Sequence, residues 1–263
     1  FMDMKILKAA FKMDLFSSIS AEIKKHFSHP HLIQLLEFPV LFLGAKPVDT
    51  PALFSMMNYA DMALGTWYPK GGMYEIINAF VIVAKKQQVH LLGNENVTEI
   101  SIQNGKATGI VSNGKFHAAD VVLSTADYHH TEQNLLPEAY RNYSTDYWKS
   151  RKMAPSCLMF YLGIDKKLKG LLHHNLFFDT NFDLHGSEIY DHPQWPSQPL
   201  FYVTCASQSD DSVAPIGMEN LVLLMPIANA LEDTEEIREK YFNLLMMRLE
   251  KLTGQEILQH VIF

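Results

Sequence analysis

The sequence predicts a mixed α/β fold of the α+β kind, and three observations predict it. Residues 1–66 repeat apolar side chains at helical spacing. Residues 97–118 alternate apolar and polar side chains around two Asn-Gly pairs. Residues 131–263 set several β-rich runs before one long amphipathic stretch. The chain has 263 residues, 48% hydrophobic and 19% charged, so a real core in one large or two modest domains is expected. A formal charge of −7 with no basic stripe argues against a nucleic-acid surface. Cys157 and Cys205 lie in apolar runs and read as buried thiols, not as a disulfide framework. No apolar run approaches the ~20 residues needed to cross a bilayer.

Taken in order, Met4 to Phe16 reads as a first helix. Ser18 or Ser20 is placed to cap a second, and Pro30 fits the first turn of a third, His31 to Phe38. Thr50-Pro51 is the expected start of a fourth, Ala52 to Leu64, with Thr50 as cap. A short aromatic strand, Thr66-Trp67-Tyr68, runs into Pro69, Gly71 and Gly72, and Tyr74 to Lys86 reads as a helix. Paired glycines there let the backbone come close to an object that a Cβ would push away, beside the N–H groups of a helix's first turn. Val89 to Leu92 and Ala119 to Thr125 read as buried strands of parallel character. Between them Asn104-Gly105 and Asn113-Gly114 mark hairpins that join Val97–Ile102, Ala107–Val111 and Lys115–Ala118. Pro137 to Tyr143 and Asp146 to Lys152 are expected as short helices. Ser156–Ile164, Asn175–Phe178, Leu200–Ala206 and Leu221–Ile227 are expected as strands. A helix from Asp233 to Leu252 should stop at Gly254. The chain opens in an uncapped helical pattern and stops within strand-like residues, His260 to Phe263, so it reads as an internal piece of a longer protein.

Motifs that would name a reaction are few. Within these residues there is no Gly-x-Gly-x-x-Gly, no phosphate loop and no Gly-x-Ser-x-Gly. Histidines cluster at His26, His29 and His31, at His129-His130, at His173-His174, and at His185 and His192. Pro30 breaks helical spacing and no His-Glu-x-x-His occurs, so surface or loop histidines are expected and no metal site. The residues alone therefore name no catalytic group. Thirteen Met, 16 Phe and 11 Tyr give an adaptable aromatic interior, which suits either ordinary packing or a wall against a long apolar ligand.

Longer runs carry a resemblance. Glu37-Phe-Pro-Val-Leu-Phe-Leu-Gly-Ala-Lys-Pro, then Thr50-Pro-Ala-Leu-Phe-Ser-Met-Met-Asn-Tyr-Ala-Asp and Gly65-Thr-Trp-Tyr-Pro-Lys-Gly-Gly-Met occur in order. Ala119-Asp-Val-Val-Leu-Ser-Thr-Ala-Asp-Tyr-His-His, Ala154-Pro-Ser-Cys-Leu-Met-Phe-Tyr-Leu-Gly and Ala214-Pro-Ile-Gly-Met-Glu-Asn-Leu follow. This series resembles the bacterial phytoene desaturases, flavin-dependent carotenoid desaturases with an amine-oxidase-like fold. The resemblance covers nearly all of the chain. It implies a substrate domain with a mixed sheet and helical lid, plus the middle of a Rossmann-like FAD domain. Residues 1–66 would be the lid, 67–130 the central FAD portion and 131–263 the substrate domain. It also implies FAD as cofactor, a long polyene as substrate, and a cytoplasmic protein attached peripherally to a membrane.

Residue by residue, Val97 matches the strand whose backbone meets the adenine, and Gly71 and Gly72 match the pair beside the flavin. Thr125, Ala126 and Asp127 match the strand end that returns towards the cofactor. Trp67, Tyr68, Phe160 and Tyr202 are the aromatic candidates for lining the polyene. Ile216 departs from the family's usual Glu in Ala-Pro-Glu-Gly. The same scaffold would also suit a carotenoid isomerase, ketolase or saturase, and the residues alone also admit a non-catalytic module for apolar ligands.

Overall fold

A computed structural model describes residues 17–151 and 153–263; the expected helix Met4–Phe16 lies outside the described residues. The chain divides into two compact units. One runs up to Ala79 and resumes at Ala154–Phe263; the other is Phe80–Met153.

In the first unit, Ser18 caps α1 (Ile19–His26), its hydroxyl accepting from Ala21 N–H at 3.2 Å. Pro30 opens α2 (Pro30–Glu37), as its missing N–H allows. Ile19, Ile23 and Val40 make a small core beneath these helices. The expected helix Ala52–Leu64 is corrected to a 3₁₀ turn (Ala52–Ser55), one α turn α3 (Met56–Tyr59) and a π turn (Ala60–Leu64). Thr50 does not cap it. Its hydroxyl donates to Lys46 C=O at 2.9 Å, and Ala52 N–H goes to Ser17 C=O at 2.8 Å, so tertiary pairing takes the donors a cap would serve. The expected strand Thr66–Tyr68 does not form, since it joins no sheet, and α4 (Tyr74–Lys86) has the expected bounds.

The second unit holds a three-stranded antiparallel sheet in the order β1 (Val97–Gln103), β2 (Lys106–Ser112), β3 (Lys115–Ala118). Its turns are the expected Asn-Gly pairs, with φ 49° and 76° at Asn104 and Gly105 and 46° and 76° at Asn113 and Gly114. Gly109 on β2 has no room for a side chain: a Cβ would sit 2.1 Å from the His117 carbonyl oxygen. The expected strands Val89–Leu92 and Ala119–Thr125 do not form. A strand exists only through a hydrogen-bonded neighbour, and among the described residues neither run joins a sheet, although Ala119 N–H reaches Thr108 C=O at 3.0 Å. Val121 and Leu123 are accordingly 82% and 85% exposed. Short turns α5 (Tyr128–His130) and α6 (Thr145–Lys149) follow.

The first unit resumes with β4 (Ser156–Ile164), β5 (His174–Phe177), α7 (Phe182–Tyr190), β6 (Phe201–Thr204), β7 (Glu219–Ile227) and α8 (Glu235–Thr253). The strands form an antiparallel sheet in the order β4-β7-β6-β5. Gly254 at φ 66° ends α8 as expected. One face of the sheet buries Leu162, Phe201, Val203, Leu221, Leu223 and Met225 against Tyr241, Leu245, Met246 and Leu249 of α8. The C-terminal residues add a short edge to β4, with Gly163 and Ile262–Phe263 exchanging backbone hydrogen bonds. Helix α7 was not expected. Asn181 caps it, and His185 within it is 2% exposed, not a loop histidine. Cys205 is buried as expected, whereas Cys157 near the start of β4 is exposed.

Candidate active site

The glycine pair organises the first unit's cleft. Gly71 and Gly72 have φ 93° and 100°, a backbone that an L side chain strains to adopt. A Cβ on Gly71 would also meet Glu75 Cγ at 2.9 Å. Gly71 N–H donates to Oδ2 of Asp210 at 2.6 Å, across 139 residues of sequence. Oδ1 of Asp210 accepts from Ser212 N–H at 3.0 Å and from the Ser212 hydroxyl at 2.6 Å. Asp210 is 7% exposed. The hydrogen bonds from Ser212, then that from Gly71, hold its carboxyl below the ordinary carboxylate range.

Around this clamp lies an open cleft of about 900 Å³ lined by Thr66, Tyr68, Lys70, His173, His174 and Asp210, among others. Tyr68 lies edge-on to His173, ring centroids 4.5 Å apart. Burial, then the charge of Asp210, push the Tyr68 phenol up, so it stays protonated at neutral pH. His173 Nδ1 pairs with the Ser209 hydroxyl and His174 Nδ1 with the Tyr202 hydroxyl. Burial, then the neighbouring His174, push His173 down, so its imidazole is neutral at pH 7.

The loop that carries Asp210 is fixed from below by the start of β7. Glu219 is 2% exposed and accepts from the Ser207 hydroxyl, from Gln208 Nε2 at 2.7 Å and from Lys167 Nζ at 3.3 Å. Asn220 N–H donates to Ser207 Oγ at 3.0 Å, and Asn220 Oδ1 accepts from Ser207 N–H at 3.1 Å. Strand register thus dictates where Asp210 sits.

Register also sorts the aromatic candidates. Phe160 pairs with Leu223 and Tyr202 with Leu224, and opposed residues share a face. Phe160 therefore lies on the helix-covered face, packed against the core and 5.3 Å from the Phe242 ring, which corrects its expected place on a substrate wall. The opposite face carries Met159, Tyr161, Tyr202, Val222 and Leu224, all half-buried or exposed. Tyr68 lines the cleft. Trp67 is 86% exposed, its indole N–H donating to Leu64 C=O at 3.3 Å.

In the second unit, Val97 pairs with Ser112, and Asn113 N–H donates to Asn96 C=O at 3.3 Å. That flanking bond marks a non-hydrogen-bonded pair, so the N–H and C=O of Val97 turn away from β2. Strand β1 is a sheet edge, and those two groups have no partner among the described residues. Thr125 and Ala126 are unpaired; Asp127 accepts from His130 N–H at 2.8 Å and caps α5. Glu132 is fully buried. Burial alone would raise its carboxyl, but hydrogen bonds from Asn142 and Tyr128 hold it below its ordinary value. No group of three His, Cys, Asp or Glu among the described residues is arranged to hold a metal.

Asp210, Glu219 and the role of His173-His174 are not legible in the sequence. Each acts through a partner more than ten residues away, and the one local signal, Asp210-Asp211-Ser212, reads as a common turn.

An edge strand with a free backbone donor and acceptor at Val97 fits a flavin dinucleotide; separately, the Gly-Gly segment offers a close approach without side chains, its own N–H groups being taken by Asp210 and by Pro69 C=O. The sequence profile described as "Flavin containing amine oxidoreductase" matches residues 3–262. The chain is 35% identical over 99% of its length to a carotenoid 3,4-desaturase of Haloarcula japonica, covering 53% of that protein. It is 32% identical to a 1-hydroxycarotenoid 3,4-desaturase of a Flavobacterium strain, over 84% of this chain and 44% of that one. The chain spans about half the length of the curated relatives it matches. In fold it is similar to an oxidoreductase of Methanosarcina mazei, with a TM-score of 0.65 at 22% identity over 99% of this chain and 59% of that one. The mixed α/β architecture expected from the sequence agrees with that neighbour, and the expectation of FAD stands on the family. The chain belongs to the flavin-containing amine oxidoreductases.

Proposed function

We propose that this chain serves an FAD-dependent desaturase of carotenoid precursors, holding the polyene and the middle of the cofactor. The observation that carries the reading is the outer face of the four-stranded sheet. Met159, Tyr161, Tyr202, Val222 and Leu224 offer an apolar strip on the side away from α8, and Tyr202 hydrogen-bonds His174 at the cleft. A flat conjugated chain suits such a wall. The match to a carotenoid 3,4-desaturase supports the same substrate class.

Bound FAD would supply the hydride acceptor, which no side chain can. The chain's residues orient and exclude water. Val97 would pair its free N–H and C=O with the adenine edge. Gly71 and Gly72 would bring backbone against the flavin, with Thr125, Ala126 and Asp127 at the return of the segment after β3. Trp67, Tyr68 and Tyr202 remain the candidates for polyene contact. No general acid or base is required, and none is assigned.

A peripheral membrane position is part of the reading. Among the described residues no helix is long and apolar enough to cross a bilayer. Met56, Tyr59, Met62 and Leu64 are 54–64% exposed on one short helical stretch, an apolar patch suited to lying in an interface.

The test is to express the full-length gene in a host that accumulates an acyclic carotenoid. The expected result is bound flavin and new conjugated double bonds, seen as a red-shifted polyene spectrum. An unchanged polyene, or an isomer or ketone in its place, overturns the desaturase reading; the ketone would favour an oxygenase, as one relative, a 4,4'-diapolycopene oxygenase 27% identical to this chain, is named.

A further inference from the structure

We propose that Asp210 is a positioning residue for the flavin: it clamps the Gly71-Gly72 loop in the one conformation that presents bare backbone to the cofactor. The inference rests on the flavoprotein reading above and adds a residue that lies far from any cofactor motif.

Four observations converge on it. First, the loop needs holding. Two successive glycines at φ 93° and 100° form a segment with a large choice of alternative conformations, and its ordering is entropically costly. Second, the bond that reaches into the loop comes from outside it. Asp210 takes Gly71 N–H at 2.6 Å, while the loop's own bond, Gly72 N–H to Pro69 C=O at 3.1 Å, closes only a turn. Third, the carboxylate is fully committed. One oxygen serves Gly71 and the other serves both Ser212 donors, and the side chain is 7% exposed. Fourth, Asp210 stands on rigid support, because the Ser207–Asn220 reciprocal bonds and Glu219 tie its loop to β7.

The arrangement makes a sharp chemical demand. Both oxygens of Asp210 accept, and of their donors only the Ser212 hydroxyl can accept in return. An asparagine can therefore keep its Oδ1 on Gly71 N–H and turn its NH₂ to the Ser212 hydroxyl, leaving only Ser212 N–H unmet. Asp210→Ala removes the acceptor of Gly71 N–H outright, whereas Asp210→Asn should keep most of the clamp.

The experiment measures FAD affinity of the full-length protein by reconstitution of the flavin-stripped enzyme, with the visible flavin spectrum and hydrogen exchange of the peptide covering residues 66–76 as parallel readouts. The expected result for Asp210→Ala is FAD binding weakened roughly tenfold or more, a shifted flavin spectrum and faster exchange in that peptide, with Asp210→Asn within about threefold of wild type. Ser212→Ala, which leaves the Gly71 bond in place, should also change affinity less than about threefold and serves as the second variant if Asp210→Ala does not fold. A tenfold loss in Ser212→Ala with unchanged exchange at residues 66–76 would overturn the assignment. So would Asp210→Ala with wild-type affinity, spectrum and exchange, even at a lower melting temperature. Wild-type protein that takes up no flavin would instead sink the flavoprotein reading itself.

Discussion

Glu219 gives the most demanding test of how the sheet supports the site. Its side chain is wholly buried and gathers Ser207 Oγ–H, Gln208 Nε2–H, Lys167 Nζ and, at 3.4 Å, Leu168 N–H. Glu219→Ala removes every acceptor at once. Lys167 is half exposed and can swing into water, and Gln208 keeps the Leu168 carbonyl at 3.0 Å. Ser207, 2% exposed, and Leu168, 3% exposed, cannot reach water. Two buried donors left unmet at about 1–3 kcal/mol each give a loss of about 2–6 kcal/mol, a range that spans the cost of breaking a buried ion pair from one side. Glu219→Gln keeps one acceptor and turns an NH₂ towards other donors, so about half that loss is expected. Urea unfolding followed by Trp195, whose ring stacks 4.9 Å from Tyr241 in the same unit, reads the change as a shift of midpoint at constant slope. A loss under about 1 kcal/mol for the alanine variant would refute the reasoning, because it would mean those donors find water or new partners.

Other expectations follow from single contacts. His185 Nδ1 accepts from Leu200 N–H at 2.9 Å while its Nε2 donates to Pro226 C=O at 3.0 Å, and burial pushes its pKa down. The unfolded chain therefore binds the proton more readily, so stability is full above about pH 6.5 and falls as pH drops from there towards the folded value; urea midpoints at pH 7.5 and 5.5 should differ more for wild type than for His185→Gln. Gly109→Ala should disrupt the β2–β3 pairing, because the new methyl would overlap the His117 carbonyl at 2.1 Å, with a loss of about 3 kcal/mol or more by thermal melting. Val97→Pro deletes an N–H that faces no strand, so circular dichroism should hold while FAD affinity falls about tenfold; equal affinity would show that this amide meets nothing. Gly254→Ala should cost about 1 kcal/mol, since φ is 66° there.

Local chemistry was legible and long-range chemistry was not. Asn104-Gly105 and Asn113-Gly114 encode their own turns, so β1 to β3 fell within a residue or two of expectation. Ser156–Ile164 matched because an apolar run of this length reads as a strand. The same run shows why Phe160 was misplaced: Cys157 to Leu162 are all apolar, so the sequence does not tell which side each faces, and only the register does. Thr50 looked like a cap because Thr-Pro so often is one, and only the pairing of Ala52 with Ser17 reveals otherwise. His174 is exposed as expected and His173 half-buried, but nothing nearby in sequence tells that Ser209 and Tyr202 will meet them.

The stretch from Ala119 to Thr125 has a practical consequence. Past Ala119, whose N–H donates to Thr108 C=O at 3.0 Å, its residues belong to no strand, and Val121 and Leu123 are exposed, side chains that water solvates poorly. At high concentration such a ribbon recruits another molecule of the same kind, edge to edge. Preparations of this polypeptide should therefore stay dilute and cold, and a rise in light scattering with protein concentration would be traced first to these seven residues.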